Sequence, residues 1–338
     1  MPGDLPHGFG ARVPAISIVV ATLRRAQCLD RMLASVLHQS PGSDDCEVLV
    51  VDNAKEADPA TAGVCRARSA EGLAVRCVHH PAAGASGARN RGIAEARASL
   101  VAFVDDDVEL PTTWLLSALE IRELPGVDIY GGPFVPYYDS PKPPWLRDSY
   151  VSGAWGEKAR WLEGREYLFG MNIVWRRSVL EALGGFSIRF GPGTPYGYYG
   201  EETELQARAR RIGACIWYDP ALVLKHYVHP DRMRVRWHLR SRWEHGKAKA
   251  RIALGDILRE ERRPRTRVAA TWLRSAARHA IRVGAMTLEL PLRRREAFPR
   301  YQNFLVERIG PELSGLSADL HLARLLVMAN SALEGTTL

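Results

Sequence analysis

The chain has 338 residues, 46% of them hydrophobic and 25% charged, with a formal net charge of +8. That balance excludes a disordered or collagen-like chain and suits one sizeable core, alone or with an appendage. No stretch reaches the ~18–20 uninterrupted apolar residues of a membrane-spanning helix, and the opening MPGDLPHGFGARVPAIS has no basic start leading into a long apolar run. The expectation is a cytoplasmic protein whose five cysteines, with no CxxC pair among them, are reduced and carry no chemistry.

In chain order, Ala15 to Thr22 (AISIVVAT) reads as a β-branched strand, and Leu29, Met32, Leu33, Val36 and Leu37 follow at helical spacing. Glu47 to Val51 is a second strand ending at Asp52-Asn53, and Ala74 to His79 is a third. An Ala-rich helix with Ile93 on its inner side spans Ser86 to Ala98. Leu100 to Val104 then stops at Asp105-Asp106-Asp107. Near-continuous apolar strands alternating with helices predict a mainly parallel sheet covered on both faces. Such sheets bind ligands outside the carboxyl edge of their strands, where Thr22, Asp52 and the acidic triplet all fall. Lone acids after strands also serve as caps or turn formers, so Asp52 alone decides nothing.

Three carboxylates after a buried strand crowd negative charge where desolvation is already costly, so something positive is expected beside them. A hard divalent ion, Mg²⁺ or Mn²⁺, fits one or two carboxylates completed by phosphate oxygens. Further on, Leu205, Ala209 and Ile212 predict a helix opening at Glu201 and stopping at Gly213.

The ordered segments are Ser17 to Thr22 with Arg24-Arg25, Val48 to Asn53, Gly84 to Gly92 (GASGARNRG), Phe103 to Val108, Gly170 to Asn172 with Trp175 to Arg177, Gly184 to Phe186, Gly200 to Leu205, and Tyr218 to Pro220 with His226. Together, over about residues 15 to 230, they resemble the family 2 glycosyltransferases, inverting enzymes of GT-A fold that use nucleotide sugars. The resemblance implies that Ala21, Thr22, Arg24 and Asp52 hold the nucleotide, with Gly84 and Asn90 at a helix start beside the diphosphate. Asn90 is equally a structural residue on this reading, and Arg89 equally a surface pair. Asp105 and Asp106 fall in the donor site, and Asp107 falls on the metal. His226 is either a further ligand or a hydrogen-bonded structural residue.

An inverting transfer needs a carboxylate to take the acceptor's proton. The family's Glu-Asp pair corresponds here to Glu201-Glu202, so by position Glu202 is the base. Its extra methylene keeps Glu201 open as the alternative, and both glutamates also suit a helix dipole. Pro136 to Tyr167 is an aromatic, Pro-rich loop. Its Trp145, Trp155 and Trp161, together with Asn172, are expected at the acceptor, although each tryptophan equally suits packing. Gly191 to Gly200 reads as a lid.

Residues 1–230 hold 24 Lys/Arg against 27 Asp/Glu, a balance of −3, whereas 231–338 hold 22 against 11, a balance of +11. The expected organisation is a 1–14 extension, a 15–230 catalytic domain with nucleotide-binding (15–110) and acceptor-binding (111–230) halves, and a basic helical 231–338 region. Within that tail Val268, Trp272, Ala276, Ala280 and Val283 recur at helical spacing, with Arg274, Arg278 and Arg282 on another side. It either packs on the domain or forms a homodimer, or it touches the inner face of a membrane peripherally. Nucleic acid is the weakest partner, since no binding motif accompanies the charge. The expected partners are a UDP-, GDP- or dTDP-sugar donor and a sugar, lipid-linked or small-molecule acceptor. A nucleotidyltransferase or a non-catalytic nucleotide-sugar-binding module are the alternatives. A dehydrogenase is disfavoured because the first strand leads to Thr22-Leu23-Arg24 and not to GxGxxG.

Overall fold

The computed structural model describes residues 13–39, 45–81, 84–192, 194, 199–259, 265–293 and 298–334. Four parallel strands form its nucleotide-side half: β1 (Ile16–Thr22), β2 (Cys46–Asp52), β3 (Val75–His79) and β4 (Leu100–Val104). Between them run α1 (Ala26–Leu37), α2 (Pro59–Ala70) and α3 (Gly84–Glu95). Alternating β1 residues face opposite layers: Ile16, Ile18 and Val20 pack with Leu29, Met32, Leu33 and Val36 of α1, while Val19 joins the core on the other face. Helix α3 lies so close to β1 that a Cβ at Gly92 would stand 2.2 Å from Val19 Cγ1.

The remaining elements are β5 (Val108–Glu109), α4 (Trp114–Ile121), β6 (Ile129–Gly131), β7 (Phe134–Tyr137), β8 (Arg160–Trp161), β9 (Asn172–Arg176), α5 (Arg177–Leu183), α6 (Glu201–Arg211), β10 (Ile216–Tyr218) and β11 (Leu224–Tyr227). The large sheet has the order β3-β2-β1-β4-β9-β6-β10-β8, and β5-β11-β7 form a smaller one. The second half of the large sheet is mixed, yet six of the eight strands run the same way and only β8 and β9 oppose them, so the sheet is mainly parallel as expected. β9 enters from the long 138–171 segment at the opposite end and runs antiparallel to both β4 and β6. Helix α2 was not anticipated because it buries only Thr61 and Cys65. Its signal is local: Asp58 caps it, accepting from the amides of Ala60 and Thr61, and Pro59 sits at its first position. Ile212, expected on the inner face of α6, caps its last turn and is 58% exposed.

The tail comprises α7 (Val235–Arg259), α8 (Arg265–Arg293), α9 (Phe298–Phe304), a π-helical turn (Leu305–Ile309) and α10 (Gly310–Glu334). Helix α10 packs on α7 and α8 through one apolar cluster to which α7 gives Ala250, α8 gives Ala269 and Trp272, and α10 gives Leu322 and Leu326. The bundle is seated on the catalytic domain: Tyr199 stacks on His245, and the Tyr150 hydroxyl lies 2.6 Å from Glu307 Oε1 and 2.9 Å from Asn303 Oδ1, with one hydrogen to share between them. No described helix is long and apolar enough to cross a membrane.

Candidate active site

Strand register assembles the site. Thr22 pairs with Asp52 across β1 and β2, and Val19 pairs with Phe103 across β1 and β4, so the acidic triplet emerges level with Thr22. Thr22 Oγ1 donates to Asp106 Oδ2 at 2.7 Å. Antiparallel pairing of Val104 with Asn172 brings Gly170 and Met171 beside the same edge, and the pairing of Val108 with His226 sets the β11 histidine next to Asp107.

The turn after β1 carries a residue that the sequence reading left unassigned. Arg24 takes a φ of 54°, in the left-handed region uncommon for residues other than glycine, and its side chain is exposed. Arg25, next in the chain, instead donates to both Asp106 Oδ1 and Asp107 Oδ2 at 3.1 Å. Asp52 is buried and closes its own loop, accepting from the amides of Ala54 and Asp58.

Asp107 is the most heavily partnered acid. His226 Nε2 lies 3.3 Å from Oδ1, while Arg232 Nη2 and His229 Nε2 lie 3.5 and 3.7 Å from Oδ2. Burial pushes its pKa up, but the His226 hydrogen bond and the charges of His226, Arg232 and Arg25 together hold it well below the usual carboxylate range. Asp106 goes the other way. Burial, followed by the negative Asp107, raises it to about 6 against the pull of Arg25 and Thr22. Arg232 Nη1 also stands 2.8 Å from His226 Nε2. That nitrogen bears either a proton or a lone pair, so it donates to Asp107 or accepts from Arg232, not both at once. His229 Nε2 is buried without a hydrogen-bond partner. Two imidazoles thus lie beside the one carboxylate. Among the described residues no three His, Cys, Asp or Glu side chains form a metal-holding group, and an ion whose shell is completed by substrate phosphates needs none. Arg232 belongs to the turn Pro230–Met233, just past residue 230.

The second acidic group opens α6. Arg89 on α3, for which a surface pair was one of the two readings, is buried. Its guanidinium donates to Glu201 Oε1 at 2.8 Å and to Asp105 Oδ1 at 3.1 Å. One cation therefore ties the start of α6 to the acidic triplet. Glu202 lies against Gly170, where a Cβ would come within 3.3 Å of its side chain. Burial first, and then the charge of Glu201, push Glu202 up to about 8, with Arg89 opposing.

Other expected contacts fall elsewhere. Asn90 exchanges two hydrogen bonds with the Phe186 backbone, 2.9 and 2.8 Å long, and so fixes the loop after α5. Gly84, at φ 84°, begins α3. Asn172 is fully buried. It accepts from Trp114 Nε1 and donates to the carbonyls of Pro133 and Leu222, which leaves its amide no free polar atom to offer an acceptor. Trp145 is buried against the tail, edge-on to His238, and Trp161 lies on the outermost strand against Trp217. Trp155 stacks on Phe169, the neighbour of the Gly170 against which Glu202 lies. Within the expected lid, residues 193 and 195–198 lie outside the described residues.

A sheet edge gathering these acids and basic side chains is that of the GT-A glycosyltransferases. The chain matches the mannosyltransferase PcManGT from Pyrobaculum calidifontis, solved with GDP-Man and Mn²⁺, over 95% of this chain and 80% of that one, with TM-score 0.54 and 18% identity. It also matches S. aureus TarS over 70% of this chain and 39% of that one, with TM-score 0.52 and 17% identity. In sequence it is 25% identical over 240 residues to the succinoglycan biosynthesis protein ExoM of Rhizobium meliloti (strain 1021), covering 70% of this chain and 74% of the relative. It is 26% identical over 176 residues to the glycosyltransferase AglE of Haloferax volcanii, covering 52% and 56%. Residues 17–188 match glycosyl transferase family 2, and the chain belongs to that family. It is a glycosyltransferase, which resolves the choice that the sequence left among three functions.

Proposed function

We propose that the protein moves a sugar from a nucleotide-diphosphate donor to an acceptor hydroxyl with inversion at the anomeric carbon, Glu202 serving as base. The observation that carries this reading is the sorting of the two glutamates by Arg89. Glu201 is bound in an ion pair, whereas Glu202 faces Gly170 with a proton affinity raised to about 8. A carboxylate tuned towards neutrality is suited to take a proton near its working pH. In a single displacement the acceptor oxygen bonds to the anomeric carbon as the bond to the diphosphate oxygen breaks, and the acceptor's proton passes to Glu202. Arg89, fixed between Glu201 and Asp105, keeps that base at a set distance from the donor.

Asp107, with His226 beside it, would hold Mn²⁺ or Mg²⁺ together with the donor's phosphate oxygens, and a bound ion would offset the charge of the departing diphosphate. The Pyrobaculum neighbour, solved with both a nucleotide sugar and Mn²⁺, supports this donor and this ion. Thr22 and Arg25 hold Asp106 and Asp107 beside the nucleotide end, where Asp52 stiffens the loop. Trp155 is the best-placed tryptophan for an acceptor sugar.

The test is donor hydrolysis and transfer across a panel of nucleotide sugars with Mn²⁺. Glu202→Gln should lower transfer by roughly 10²–10⁴-fold while donor binding persists. If Glu201→Gln alone does this with a stable fold, the base is Glu201.

A further inference from the structure

The exposed side of α8 has two halves. Residues Leu273, Ala277, Ile281 and Leu288 recur at four- and seven-residue intervals on one strip. Leu273 is 50%, Ile281 71% and Leu288 79% exposed. Immediately alongside, Arg274, Arg278 and Arg282 form a parallel row, also exposed. The opposite side of the helix carries Trp272, Ala276 and His279 and is the one packed on the bundle, where His279 meets Glu312 and Trp272 packs beside Leu322 and Leu326. The exposed leucines are therefore not a core face left over, because α8 already has one. Where α8 ends, Arg293 joins Arg147, Arg300 and Arg308 around a cavity of about 290 Å³, so the basic character continues to the loop beside Trp145.

We propose that this face of α8 docks on an anionic lipid surface, its apolar strip entering the headgroup boundary and its arginine row pairing with lipid phosphates. Charge complementarity selects this occupant. A second copy of the chain would bring two arginine rows together on a region that already carries +11, and like charges repel. Nucleic acid would satisfy the arginines but leave three large apolar side chains with nothing to cover them. A bilayer of acidic phospholipids offers both an apolar phase and a negative surface in one plane.

The test is co-sedimentation of the full chain with vesicles of phosphatidylcholine, alone or mixed with phosphatidylglycerol. Binding is expected to the mixed vesicles, to be weak on phosphatidylcholine alone, and to fall as salt rises. Arg274→Ala with Arg278→Ala should weaken it on the order of 25-fold, about fivefold for each charge, and Leu288→Asp should abolish it. All three positions are exposed, so far-UV dichroism and donor hydrolysis should be unchanged, and donor hydrolysis also reports on the transferase reading separately. No sedimentation with the mixed vesicles, equal binding to both vesicle types, or wild-type binding by the double alanine variant would overturn the proposal. So would a dimer in sedimentation equilibrium that Leu288→Asp splits, or a preference for duplex DNA over the vesicles.

Discussion

Replacing Arg89 by Met removes the cation between Glu201 and Asp105 but keeps most of the aliphatic bulk. Both members of the Arg89–Glu201 pair are 8% exposed and stand 2.8 Å apart. At an effective dielectric of about 20, unit charges at such separations attract by roughly 4–6 kcal/mol before desolvation is subtracted. Breaking a buried pair from one side costs about 3–5 kcal/mol, because the remaining charge keeps its burial and loses its partner. Glu201 Oε2 already has no hydrogen-bond partner, so nothing nearby takes over. Arg89→Met should therefore lose about 3–5 kcal/mol in urea unfolding with an unchanged m-value. Arg89→Met with Glu201→Gln should recover most of that loss, since the stranded charge is gone. Removing Arg89 also takes away a charge that lowers Glu202, so the activity that survives should need higher pH. A loss under about 1 kcal/mol, or a double variant whose cost is the sum of the two single ones, would refute the claim that this ion pair organises the crevice.

The raised Glu202 makes two pH predictions. Only its deprotonated form accepts a proton, so kcat/KM in the free enzyme should climb as pH rises through about 8, and a profile flat across that range would remove Glu202 from the role of base. Because its folded value lies above the ordinary 4.5, the folded state holds the proton more tightly. The penalty on stability accordingly develops as pH rises from 4.5 to about 8, and Glu202→Gln should be more stable than wild type by on the order of a few kcal/mol at alkaline pH but not near pH ~4. Asn90→Ala should cost about 1–3 kcal/mol from its two lost bonds to the Phe186 backbone while leaving the donor KM unchanged. A raised KM with unaltered stability would instead mean that the amide serves the donor.

Much of the nucleotide-side half was legible because its strands are short, apolar and β-branched and each stops on a polar residue. β1, β2, β3 and β4 lie within a residue or two of their expected bounds. The mixed half was not. β6, β8 and β10 have three residues or fewer, and the direction of β9 depends on the path of a long aromatic loop that has no periodicity. In the site, the acids could be found as strand endings and as a helix opening, since carboxylates in those places stand out locally. Their cations could not. Arg25 differs from Arg24 only by a backbone φ of 54° at its neighbour, and Arg89 looks like any polar helix residue until α3 is laid against α6. Arg232 comes from beyond residue 230, where the composition already reads as tail, and His229 from the turn just before it. Asn172 and Trp145 show the converse: residue types common at sugar sites become core and interface when the topology places them between layers.

The most direct test of the whole account is calorimetric titration of nucleoside diphosphates into the protein with and without Mn²⁺, for wild type and Asp107→Asn. The account predicts heat for at least one diphosphate that disappears on chelation and drops by tenfold or more in affinity, about 1.4 kcal/mol, in the variant. Undiminished binding after chelation, or wild-type affinity in Asp107→Asn, would contradict it.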